Sequence, residues 1–185
     1  MMIFLGSLWL PILVSAVVVF LASNVMHMLL PFWHYPDYKR PDDDAPFVEG
    51  SRALKPGMYM FPRFDYKTAS AEEQAAWEKG PSGIIYLRNP AKFSFGKTLT
   101  LYFLYCIVAG IFTAYISHET MPAGTAFRQV LQVAGATATI FWAFGTNFSD
   151  AIWYGKPWRA SIKYAVDGLI YGLLTGAVFA WLWPH

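Results

Sequence analysis

The chain has 185 residues, of which 56% are hydrophobic, 18% aromatic and only 14% charged, with a net charge of +2. A charge content this far below the ~25% of soluble domains argues against a water-soluble globule, and the many aromatics exclude disorder. The net charge is too small to suggest nucleic-acid binding, and a lone Cys106 excludes an internal disulfide framework.

The mean hydropathy is nevertheless only +0.34. The average hides a segregation of charge. Residues 32–97 hold 10 of the 14 Lys and Arg and 9 of the 12 Asp and Glu. The fold expected is an all-α membrane protein with four transmembrane helices. A polar insert of about 66 residues, with α/β character, caps the bundle between helices one and two. The domain division is 1–31, 32–97 and 98–185.

The first span runs from Met1 to about Pro31 without an acid, Lys or Arg, more than the ~20 residues needed to cross a bilayer. It lacks a basic leader and exceeds the apolar length of a signal peptide, so a retained span is expected. In the insert, Pro36, Pro41 and Pro46 suggest extended chain. Met58–Phe61 and Ile84–Leu87 follow turn signals and read as paired strands. Between them Ser70–Lys79 reads as a helix, with Ser70 as N-cap and Glu73 at the capping-box position.

The second span is Leu99–Ser117. The third starts near Pro122 or Thr125, with Thr120 at its head, and runs to about Phe148. The fourth runs from Pro157 or Trp158 to Trp183. Its Gly168, Gly172 and Gly176 recur at four-residue spacing, a face that admits close helix approach in lipid. Gly135, Thr139, Ala143 and Thr146 on the third span offer a compatible face, so an antiparallel pair is expected. Lys39, Arg40, Lys92, Lys97, Lys156, Arg159 and Lys163 share one side, whereas the other carries only Arg128. The positive-inside rule puts the insert in the cytoplasm and both termini in the periplasm.

Charges inside spans are costly, so each is a site hypothesis. Asp167 lies roughly 14 Å into the fourth span. Lys163 is one turn before it and Tyr171 one turn after, on the same face, so Lys163 can pair with Asp167 and Tyr171 can extend the column. With Asn24, His27, Asn147 and Asp150 they form a polar intramembrane cluster on the insert side, suited to a ligand, a proton path or a structural network. His27 and His34 are the weak metal candidates. The stretch from His27 through His34 and Asp37 to Asp44 is rich in ligands but lacks any standard metal-site spacing, and no cofactor is expected, haem or metal ion being a remote alternative. No catalytic constellation is legible.

Two segments carry a resemblance. One is Asn24-Val-Met-His27-Met-Leu-Leu-Pro with His34-Tyr-Pro-Asp37-Tyr. The other is Asn147-Phe-Ser-Asp150-Ala-Ile-Trp153-Tyr-Gly155-Lys-Pro157-Trp158-Arg159, continuing to Lys163, Asp167 and Trp181-Leu-Trp183-Pro. Together they resemble a family of uncharacterised bacterial four-helix inner-membrane proteins. The resemblance implies a bacterial inner membrane and brings no activity, cofactor or site residue. The expected role is a non-catalytic accessory subunit of a respiratory or photosynthetic complex, with lipids and other membrane subunits as partners. The alternatives are a small transporter or channel around Asp167, or a metal- or haem-binding membrane protein.

Overall fold

The computed structural model describes residues 3–62, 65, 67–145 and 147–185. The chain divides into two compact units. The helical unit comprises Met1–Tyr38, Ser94–Ile152 and Lys156–His185, and the insert unit comprises Lys39–Phe93 and Trp153–Gly155.

The helical unit is built on α1 (Ile3–Asn24), which ends in a π-helical turn at Val25–Leu29. Pro31 then opens a single turn, α2 (Pro31–His34), followed by a 3₁₀ turn at Tyr35–Asp37. Pro31 and Pro36 deny the chain backbone donors, so the helix gives way to short turns. The first apolar helix thus runs to Leu29, close to its expected end, and the chain beyond it folds into short turns.

Among the described residues, three helices are long and apolar enough to cross a membrane. They are α1 with its π turn, α5 (Phe95–Thr120) and α8 (Trp158–Trp181). The expected third span is broken. It consists of α6 (Phe127–Thr139), a π turn at Ile140–Phe144 and, after Gly145, a separate α7 (Asn147–Tyr154). Gly145 leaves helical geometry at φ −31 and ψ −116, and Arg128, Gln129 and Gln132 dilute the apolar character of α6. Thr120 ends α5 and does not start α6. Its hydroxyl bonds back to the carbonyls of Ile116 and Ser117, and the next helix waits until Phe127.

Small residues set the spacing between helices. α6 and α8 run antiparallel in close contact, Leu131 meeting Gly176 and Ala143 meeting Gly168. A Cβ on Gly172 would lie 2.8 Å from both the Gly135 carbonyl and the Thr139 nitrogen; one on Gly176 would lie 2.7 Å from the Leu131 carbonyl. Only glycine permits this approach. Thr146, the last residue of the facing stripe, lies outside the described residues. On the other side, a Cβ on Gly110 of α5 would stand 3.2 Å from the Ile12 carbonyl of α1. Leu8, Ile12, Ala114, Val130, Ala134 and Phe179 fill the core between these helices. Buried hydroxyls of Ser15, Thr113 and Thr175 bond to carbonyls of their own helices, so they cross the apolar interior satisfied.

The insert unit contains α3 (Ala45–Ser51), β1 (Gly57–Phe61), α4 (Ala71–Lys79) and β2 (Gly83–Leu87). The strands pair antiparallel, Gly57 opposite Leu87 and Phe61 opposite Gly83. At α4 the capping box closes. Ser70 Oγ accepts from the Glu73 N–H at 3.2 Å, and Glu73 Oε2 accepts from the Ser70 N–H at 2.8 Å. The extended chain expected through Pro46 is instead α3. Pro46 sits in its first turn, where a missing N–H costs nothing, and Asp43 Oδ1 accepts from the Ala45 N–H.

Candidate functional site

The fold-back after α1 returns Trp33, His34 and Asp37 to the first turns of α8, residues that the sequence places outside the spans. Asp167 is 2% exposed. Its Oδ1 accepts from Trp33 Nε1 at 2.7 Å, and its Oδ2 lies 2.6 Å from His34 Nε2. Lys163 Nζ donates to Asp37 Oδ1 at 2.7 Å and to the Trp33 carbonyl. His34 Nδ1 faces Asp37 Oδ2 at 3.4 Å. The result is a buried chain of charged groups, Lys163–Asp37–His34–Asp167. With a proton on each His34 nitrogen it holds two positive and two negative charges and is neutral.

This corrects one expectation. Lys163 does not pair with Asp167 along the helix. The two acids find partners on different elements, Lys163 for Asp37 and Trp33 with His34 for Asp167. Burial pushes the Asp37 carboxyl up, but the hydrogen bond and charge of Lys163 and the proximity of His34 outweigh it, and the carboxyl titrates below its ordinary value.

A second network adjoins the first on α8. Asn147 Nδ2 donates to the Ser161 carbonyl at 2.7 Å, Ser161 Oγ donates to the Asn147 carbonyl at 3.2 Å, and Lys156 Nζ donates to Asn147 Oδ1 at 2.8 Å. Lys156 also sits 4.4 Å from the Tyr164 ring centre. Burial lowers the proton affinity of Lys156, with Asp150 opposing the shift. Tyr164 links the networks. Its ring stacks on His34 at 4.7 Å, and its hydroxyl lies 3.3 Å from that of Tyr38.

The expected cluster is therefore gathered only in part. His27, on the π turn, joins it with its ring 4.3 Å from that of His34. Asn24 turns to its own helix and bonds the Phe20 carbonyl. The backbone carbonyl of Asp150 accepts from the Lys156 N–H. Tyr171 does not extend the column. Its hydroxyl is buried without a partner, and its ring packs edge-on to Trp142 at 5.6 Å. Trp33, Tyr164 and Lys156 are the members that the sequence did not flag. A buried Asp and Lys announce that partners exist, yet nothing in local spacing says they come from 126 to 134 residues away.

Among the described residues, His27, His34 and Asp167 form a group able to hold an ion, their ligand atoms all within 4.8 Å of one another. Comparison with protein-family models, curated proteins and solved structures finds no match.

Proposed function

We propose that the chain is a four-span, non-catalytic subunit of a larger bacterial inner-membrane complex. Among the described residues, three helices suit an integral membrane protein by length and composition. A fourth span is supplied by α6 with its π turn, 18 residues from Phe127 to Phe144, or about 27 Å, lying antiparallel to α8. The insert lies in the cytoplasm, as the distribution of Lys and Arg suggests.

The observation that carries this reading is the pairing of Asp167. Both its oxygens are bonded and it is 2% exposed. A transporter or channel working through Asp167 needs a water-accessible route to it. A paired, dry carboxylate instead suits a lock that holds the α1 extension to α8. Outside the lock, α1, α5 and α8 present apolar side chains such as Trp9, Leu21, Leu104, Phe112, Leu169 and Leu173, a surface for lipid or neighbouring apolar helices.

Native purification in mild detergent tests the proposal. The chain is expected to travel with other polypeptides in an assembly well above its own 20.9 kDa. Migration alone as a monomer overturns it.

A further inference from the structure

We propose that His27, His34 and Asp167 form a binding site for one divalent transition-metal ion of the zinc, cobalt or ferrous class. This inference does not rest on the assembly role, although it uses the same Asp167 carboxylate that joins the α1 extension to α8.

The donor set is two imidazoles and one carboxylate. Imidazole selects zinc and its first-row neighbours over magnesium or calcium, and two His with one carboxylate is a recurrent ligand set for such ions, leaving further positions open. The three ligand atoms come from three backbone segments, the π turn, α2 and α8, and lie within 4.8 Å of one another. Ligands ~2.0–2.2 Å from a tetrahedral ion stand about 3.3 Å apart. His34 Nε2 and Asp167 Oδ2, now 2.6 Å apart, open by about 0.7 Å to reach that separation. The exposed His27 closes the remaining gap by side-chain rotation. The ion takes the place of the hydrogen between His34 and Asp167, and one proton leaves to solvent as it enters.

Two features around the triad fit a metal better than a plain ion pair. First, His34 Nδ1 and Asp37 Oδ2 are both buried without a hydrogen-bond partner, although they face each other at 3.4 Å. With the ion on Nε2, the remaining ring proton belongs on Nδ1, directed at Asp37. That is the carboxylate–histidine–metal relay that fixes ring orientation and raises ligand basicity. Asp167 is oriented likewise, its Oδ1 held by Trp33 Nε1. Second, His27 is presented by a π-helical turn, a feature that concentrates at functional sites because it re-aims a side chain at the cost of regular helix bonding. Among the described residues His27 makes no ion pair with the acids, so the lock does not explain its position.

The test uses the full chain, purified in mild detergent, stripped with a chelator and titrated with Co²⁺. One Co²⁺ per chain with visible d–d absorption is expected, displaced by Zn²⁺. His27→Ala leaves the buried ion pairs in place and is expected to weaken Co²⁺ binding at least 10-fold with little change in melting temperature. Asp37→Asn is expected to weaken it by about 10–100-fold while retaining the d–d bands. Absence of saturable binding at one ion per chain overturns the proposal, as does a His27→Ala protein that binds Co²⁺ like the parent. The native-assembly experiment reads neither result, so the two proposals fail separately.

Discussion

The helical unit and the insert unit handle charge in opposite ways. The insert is rich in charge, but its ion pairing is local and wet. Arg52 Nε and Glu49 Oε2 sit one turn apart at 2.8 Å, with side chains 71% and 72% exposed. The helical unit has few charges, and Lys163, Asp37, His34 and Asp167 are buried together across long sequence separations. An exposed pair gains little, because water solvates both partners well before they meet. A buried group has lost its water, so removing its partner leaves a desolvated charge. The number of charges in a region is therefore a poor guide to where electrostatics holds the fold.

The sharpest way to break this contrast is Lys163→Met. It strands Asp37 in the interior, and a loss of about 3–5 kcal/mol is expected, read as a large drop in melting temperature in detergent. The pair also has a pH signature. The Asp37 value is lowered in the folded protein, so its stabilisation is present above the ordinary carboxylate range and is lost as pH falls through the lowered value. Lys163→Met should flatten that acid-side decline, and an unchanged pH profile would detach Asp37 from Lys163.

A smaller effect, of steric origin, is expected at the α6–α8 contact. Gly172→Ala forces a methyl against the Gly135 carbonyl and should cost about 1–3 kcal/mol. Gly6→Ala on α1 meets nothing within 4 Å and should be neutral or stabilising by up to about 1 kcal/mol, through reduced unfolded-state freedom. Opposite signs in the two melting curves are the outcome to look for, and equal signs would remove the close-approach argument. The smallest effect belongs to the insert. Arg52→Ala should change stability by less than about 1 kcal/mol, and a loss as large as that of Lys163→Met would erase the contrast between the units.

The legibility of the two units also differs. In the insert, signals are local and the structure follows most of them, the exception being α3, which stands where Pro46 suggested extended chain. Ser70 and Glu73 are three residues apart and build their capping box within one turn, and the turn-flanked runs at Met58 and Ile84 fall within strands. In the helical unit, composition marked four spans, and three long apolar helices stand among the described residues, while the third expected span is interrupted at Gly145 and the π turn at Ile140–Phe144, where hydropathy reads a continuous pattern. The candidate site was half legible. Asp167, Lys163, His27, His34 and Asp37 stood out as polar groups in or beside apolar runs, but which of them pair with which did not, nor did Trp33 as a donor to Asp167.

What the sequence by itself determined is whatever depends on neighbours a few residues away or on bulk composition. This covers the apolar helices, the capped helix and paired strands of the insert, the segregation of charge, and the demand that Asp167 and Lys163 find partners. Only the tertiary structure decided which partners they find. Pro31 and Pro36 turn the chain back after α1, and the glycine contacts bring α6 within backbone distance of α8. The cost of leaving a buried charge unpaired then selects Trp33, His34 and Asp37 over the nearer partner one helical turn away.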